Sequence, residues 1–160
     1  MPMPRAPTAR PTASSTATDA GMGRRRYLLQ VRTTDLDWLA HVNNTTYADY
    51  LQEARVDLLS QWRGAQLSHP ELSMVVRALE ISYERTLHYR PEAIAIDTWT
   101  EKVGTTSYTL GHEIREPGSD VVYARARSVM VQIDKATERP SPLDPGLREH
   151  LESLVDDGTG

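Results

Sequence analysis

An α+β domain, with an antiparallel β-sheet wrapped around one long α-helix, is the fold class this 160-residue sequence predicts. Three observations carry the prediction. Only one long stretch has an apolar helical period, several later stretches alternate as strands do, and turn signals rather than helices separate those strands. The length suits one domain with a real core.

The first 26 residues, "MPMPRAPTARPTASSTATDAGMGRRR", are rich in Pro, Ala, Thr and Ser and have no apolar period. They are expected to be a disordered tail, with the folded domain spanning 27–155. "YLLQVRTT" (27–34) reads as the first strand. After it, Tyr47, Leu51, Ala54, Leu58 and Trp62 recur at spacings of four, three, four and four. That is one face of a helix of about five turns. Asn44, Thr45 and Thr46 are candidate N-caps and Gly64 a candidate stop; "LSHPEL" reads as a loop.

The strands follow. "MVVRALEISYER" sets Val75, Arg77, Leu79, Ile81 and Tyr83 on one face. "AIAIDTWTEKV" sets Ile94 and Ile96 opposite Ala95, Trp99 and Val103. "TSYTLGHEIRE" and "VVYARARSVMVQID" flank "EPGSD", a hairpin signal. "SPLDPGLREHLESL" predicts a short C-terminal helix behind a proline turn. No second long helix is available for the sheet's other face, which should be wet or meet a partner chain.

Composition narrows the function. The chain has no cysteine, which excludes disulfides, thiolate catalysis and Cys-ligated zinc. Its net charge is −4, and the tail carries five Arg against one Asp, leaving about −8 for residues 27–160. A domain so acidic argues against nonspecific nucleic-acid binding. No apolar run approaches the ~18 residues of a membrane helix. "RRRYLLQV" lacks the apolar core of a signal peptide; an Arg- and Ser/Thr-rich, acid-poor tail also fits an organellar transit peptide, but a plain disordered extension and a cytoplasmic location are expected.

The chemistry concentrates in "DLDWLAHVNN", where Asp35, Asp37, His41, Asn43 and Asn44 precede the long helix. A helix N-terminus offers unpaired N–H groups and about half a positive charge, suited to a carbonyl that becomes an oxyanion. A nearby carboxylate can act on the same carbon as base or nucleophile. Taken singly, Asp, Asn and Thr before a helix are more often caps than catalysts; the whole string carries the weight. Phosphate binding, the competing use of a helix start, usually needs a glycine-rich loop, and this stretch has no glycine. No serine sits in a G-x-S-x-G elbow. No His/Asp/Glu pair has the spacing of a helical metal site such as H-E-x-x-H, so neither metal nor cofactor is expected. His69 and His150 read as surface residues.

The string "DLDWLAHVNNTTYADYLQEAR" resembles the D-x-D-x-x-G-H-V-N-N-x-x-Y signature of hotdog-fold acyl thioesterases, in the 4-hydroxybenzoyl-CoA thioesterase-like branch. The likeness extends through "VVRALEISYERTLHYRPEAIAIDTWTEKVGTTSYTL". It implies a single hotdog domain that hydrolyses a thioester of CoA or acyl carrier protein, with active sites at the interface of a homodimer or homotetramer. Carried over by position, Asp37 is the base or nucleophile, the Asn44 N–H binds the thioester oxygen, and His41 orients substrate or carboxylate. Asn43 and Tyr47 shape the loop and line the acyl site, and Ser107 matches a family turn position. Ala40 stands where the signature has glycine, so a positive φ there would cost energy. Basic residues that hold the CoA phosphates in the 4-hydroxybenzoyl enzymes have no counterpart in Gly104 to Thr106. Two other readings stay open: a hydratase or dehydratase of acyl thioesters, disfavoured because no proline stands between Asp37 and His41, and a hotdog domain that binds acyl-CoA without hydrolysing it.

Overall fold

The structure, a computed structural model, describes residues 23–63 and 71–156. Five strands form one antiparallel sheet in the order β1-β3-β4-β5-β2: β1 (Arg24–Leu29), β2 (Leu72–Tyr83), β3 (Ile94–Val103), β4 (Ser107–Arg115) and β5 (Val122–Asp134). One long helix, α1 (Thr46–Arg63), and a short one, α2 (Pro145–Glu152), complete the order. Gly64 and His69 lie outside the described residues. No helix among the described residues is long and apolar enough to cross a membrane.

The 4-3-4 spacing does what it predicts: Tyr47, Leu51, Ala54 and Leu58 are buried against the sheet's concave face. Towards the start of α1, Tyr47, Tyr50 and Leu51 meet Ile94, Ile96, Ile114 and Leu87. Towards its end, Leu58 meets Tyr108, Leu110 and Met130, with Leu147 and Leu151 from α2. Each such fully buried aliphatic side chain contributes about 1.5–3 kcal/mol. Asp144 caps α2, accepting from the N–H groups of Gly146 (2.9 Å) and Leu147 (3.2 Å), and Pro145 opens its first turn. His150 is not a free surface residue: its Nε2 lies 3.1 Å from the Leu58 carbonyl and ties α2 to α1.

Two expectations are corrected. The first strand starts at Arg24, so Arg24–Arg26 belong to the fold rather than to the tail, and it ends at Leu29 instead of Thr34. Three successive arginines show no apolar period, but ladder bonds to β3 do not require one. Carboxylates of the fold hold their side chains: Arg24 pairs with Asp156, Arg25 with Asp57 (2.8 Å) and Arg26 with Asp97 (2.7 Å). The second correction concerns β2. A bulge between Val76 and Ala78 changes the facing parity, so Leu79 and Ile81 pack on the core while Val75 is exposed and Met74 packs inward.

The convex face is charged. Asp97 sits between Arg26 and Arg115, Glu113 faces Arg24, Arg115 and Arg125, and Arg127 pairs with Glu101 (2.7 Å). Trp99 lies there too, under the Arg24 guanidinium at 4.2 Å and over Gly111, where a Cβ would fall 2.4 Å from the indole. A face built of linked ion pairs is wettable without a covering helix.

Candidate active site

Residues 30–45 form the loop between β1 and α1, and Asp35 anchors it. Its buried carboxylate accepts from the Arg32 N–H (2.8 Å), from the Arg32 guanidinium (2.8 and 3.0 Å) and from the Tyr50 hydroxyl (2.7 Å). Burial opposes its ionisation, but the Arg32 and Tyr50 hydrogen bonds outweigh that and hold the carboxyl below its ordinary range. The same bond to Asp35, added to burial, pushes the Tyr50 phenol strongly upward. Asp35 also uses its carbonyl, which accepts from the Asn43 N–H at 2.8 Å and so places the far end of the loop.

Asp37 lies at the head of a tight turn. The Asp37 N–H donates to the His41 carbonyl (2.8 Å) and the Ala40 N–H to the Asp37 carbonyl (3.0 Å). The Asp37 Oδ1 accepts from the N–H groups of Leu39 (2.9 Å) and His41 (3.2 Å), while Oδ2 accepts nothing among the described residues. One carboxylate oxygen is therefore fixed and the other left for chemistry. The main chain of His41, not its imidazole, orients the carboxylate; the ring sits edge-on to His88 at 4.9 Å.

Ala40 adopts φ 61°, the left-handed region that the signature's glycine enters without cost. An L-residue there costs about 1–2 kcal/mol, part of which glycine gives back through the freedom of the unfolded chain. Ala40→Gly should therefore raise stability by up to about 1 kcal/mol in denaturant titration.

Asn43 forms the turn that leads into α1 at Thr46. Its Oδ1 accepts from the Thr45 N–H (3.0 Å) and hydroxyl (2.9 Å), and its carbonyl from the Thr46 N–H (2.9 Å). Because that carbonyl points along the helix, the N–H of the same peptide unit, which belongs to Asn44, points out of the helix start; it donates to no protein acceptor among the described residues. Asn43 thus shapes the loop as a cap, and the Asn44 main chain supplies the free donor.

Asp37, His41, Asn44 and Tyr47 share one recess of about 340 Å³. Its opposite wall is the run from Tyr83 to Leu87, which the motif gave no reason to include. The Tyr83 hydroxyl donates to the Asn44 carbonyl (2.9 Å) and its ring stands edge-on to Tyr47 at 5.0 Å. Burial, with Tyr83 beside it, pushes the Tyr47 phenol up to about 12. A second carboxylate, Glu84, lines the recess but is paired with Arg125 at 2.8 Å. The only sequence signal for this wall is that "SYER" ends a strand.

Ser107 does not join the cluster within one chain. It opens β4 at the end where Tyr108 meets Leu58, whereas Ile114 meets Tyr47 near the other end, about 23 Å along the strand. His112 is structural: fully buried, it spans the hydroxyls of Thr98 (3.0 Å) and Ser128 (2.9 Å), and burial, with Arg55 nearby, lowers its pKa to about 3.

A fixed carboxylate with one free oxygen, in a recess it shares with the residue that carries a free N–H ahead of the helix, has the parts to activate water beside a carbonyl and hold the resulting oxyanion. Comparison with known proteins shows the family. Residues 31–151 match the model of the thioesterase-like superfamily. The chain is 33% identical over 133 residues to the long-chain acyl-CoA thioesterase FadM of Escherichia coli strain K12, covering 79% of this chain and 96% of that protein. A predicted thioesterase from Bacillus stearothermophilus superposes with a TM-score of 0.75 at 28% identity, over 83% of this chain and 97% of its own. The 1,4-dihydroxy-2-naphthoyl-CoA thioesterase of Synechocystis shares the fold with a TM-score of 0.74 at 18% identity, over 82% and 98% of the two chains.

Proposed function

The chain belongs to the thioesterase-like superfamily and has its hotdog fold, and from that premise we infer that it is an acyl-CoA thioesterase using Asp37 as general base. The observation that carries the reading is the asymmetry of Asp37, with Oδ1 held by two N–H groups and Oδ2 free in the recess that Asn44 shares.

In this reading the free oxygen of Asp37 takes a proton from water. The hydroxide attacks the thioester carbon, and the carbonyl oxygen becomes an oxyanion against the Asn44 N–H, with the α1 dipole behind it. Collapse breaks the carbon–sulfur bond, and the proton on Asp37 passes to the departing thiolate. The products are a carboxylic acid and a free thiol, with no metal or redox step. The Tyr83–Asn44 and Asp35–Asn43 hydrogen bonds support the reading by holding both sides of the helix start. His41, Asn43 and Tyr47 serve it as wall and cap. Ser107 serves it only if a second protomer brings it near. Acyl carrier protein, as an alternative carrier of the acyl group, and the cytoplasmic setting belong to the same proposal.

Hydrolysis in 18O-labelled water tests the reading. The free acid should carry one solvent oxygen, with thiol formed in equal amount, after a single turnover. Label in the Asp37 side chain would make Asp37 the nucleophile, through an anhydride. Conversion of an enoyl-CoA to its hydroxyacyl-CoA without thiol release would place the chain among the hydratases.

Assembly is part of the proposal. β2 is a 12-residue edge strand whose Val75 and Val76 are exposed, and Trp38, 89% exposed, projects with Leu39 from the Asp37 turn. Unpaired strand edges and clustered exposed apolar groups are usually covered by a partner. Sedimentation should show a dimer or tetramer and no stable, active monomer.

A further inference from the structure

The Asp37 recess has a floor and a rim. Val42, Tyr47 and Leu87, each at most 3% exposed, form the floor, and Tyr83, Glu84 and Arg85 stand exposed along one side of the mouth. Among the described residues Arg85 is the one arginine or lysine that lines the recess. No carboxylate among them lies within ion-pair distance of its guanidinium, which also makes no hydrogen bond to them. The surrounding arginines are engaged: Arg32 by Asp35 (2.8 Å), Arg90 by Glu116, and Arg125 by Glu84 (2.8 Å) and Glu113. Glu84, the acid next to Arg85, is thus answered by a different arginine. The main chain here is fixed, because the N–H groups of Glu84 (2.9 Å) and Arg85 (3.1 Å) both donate to the Tyr123 carbonyl of β5. Those bonds keep Arg85 on the β5 side of β2, away from its free edge, and Asp37 chemistry requires this mouth to stay open to substrate in any assembly.

We propose that Arg85 binds the phosphate of the substrate's phosphopantetheine arm at the mouth of the Asp37 recess, and so sets the affinity for substrate rather than the rate of its hydrolysis. The assignment rests on the Asp37 reading for the place of the thioester. Thioesters of CoA and of acyl carrier protein both hang on this arm, with the phosphate at the end away from the sulfur. With the thioester oxygen on the Asn44 N–H, the arm has to leave through the mouth, past the wall on which Arg85 stands. The planar guanidinium fork matches two phosphate oxygens at once. A local cation is also what the overall charge demands. Residues 27–160 carry about −8, so the field of the domain repels an anionic substrate unless positive charge sits where that substrate enters. The turn Gly104 to Thr106 holds no basic residue to supply it.

Titration calorimetry of the intact protein with three thioethers, which cannot be hydrolysed, tests the assignment: S-decyl-CoA, S-decyl-4′-phosphopantetheine and S-decyl-pantetheine. The second should bind about tenfold more tightly than the third, which lacks the phosphate. Arg85→Gln, a change at an exposed side chain, should fold and bind both phosphate-bearing probes about tenfold more weakly. It should bind S-decyl-pantetheine as the wild type does. With an acyl-CoA that the wild type hydrolyses, the same variant should raise KM about tenfold at unchanged kcat, the mark of an interaction made equally in ground and transition states. The assignment is overturned if no probe binds, if S-decyl-pantetheine binds as well as its phosphate, or if Arg85→Gln leaves all three unchanged. It is equally overturned if the variant weakens S-decyl-pantetheine by the same factor, which would make Arg85 a part of the wall only. A loss confined to S-decyl-CoA would also overturn it, by moving the contact to the adenosine end. Failure of the Asp37 reading has a different signature: S-decyl-CoA would bind through Arg85 while decanoyl-CoA released no thiol.

Discussion

Asp37→Asn should fold with unchanged stability and lose at least about a hundredfold in kcat, the scale of a positioned general base. The amide keeps an oxygen where Oδ1 accepts from the Leu39 and His41 N–H groups, so the turn survives. What disappears is the negative charge on the oxygen facing the recess. Two other carboxylates set the comparison. Glu53 is exposed on α1, and Glu84 lines the recess but is engaged by Arg125. Glu53→Gln should cost little, as should Glu84→Gln. Steady-state rates of the three variants check the assignment. A silent Asp37→Asn beside a crippled Glu53→Gln or Glu84→Gln would move the base to the crippled position.

Asp35→Ala should lower stability by about 2–4 kcal/mol, the cost of stranding a buried hydroxyl and breaking a partly buried ion pair. The Tyr50 hydroxyl, on a side chain 2% exposed, would keep no partner. Arg32 is largely exposed and loses less. For a domain of this size the midpoint of thermal unfolding should fall by roughly 6–15 °C. The pH dependence has a definite sign. The carboxyl's folded pKa lies below its unfolded value near 3.8, so its ionic contribution is complete above that value. It is lost as the pH falls through the lower folded value. The wild-type advantage over Asp35→Ala should therefore hold from neutrality to about pH 5 and shrink in stronger acid. Activity should also fall, because the Asp35 segment places Asn43.

The fold was most legible where a period repeats over many residues. Tyr47, Leu51, Ala54 and Leu58 announce α1 because a buried helical face needs that spacing. Arg24–Arg26 gave no such signal, since their place in the sheet depends on carboxylates from β3, α1 and the C-terminal segment. Alternation also misassigned the first half of β2, because a bulge of one residue reverses facing without leaving a mark in the pattern. Of the candidate site, the Asp37–Asn44 loop could be read because its parts are neighbours in sequence and its chemistry is that of a helix start. Even the strain at Ala40 was foreseeable from the signature's glycine. Tyr83 was not, since its hydrogen bond to Asn44 joins residues 39 positions apart through the sheet.

The central claim is tested most directly by following free-thiol release over many turnovers with a panel of acyl-CoA and acyl carrier protein thioesters of increasing chain length. At least one acyl-CoA should yield many equivalents of thiol per protomer, with the matching acid formed in equal amount. Tight binding of acyl-CoA with no thiol release beyond the spontaneous rate would contradict it, and would make the chain a binding domain that carries a thioesterase fold.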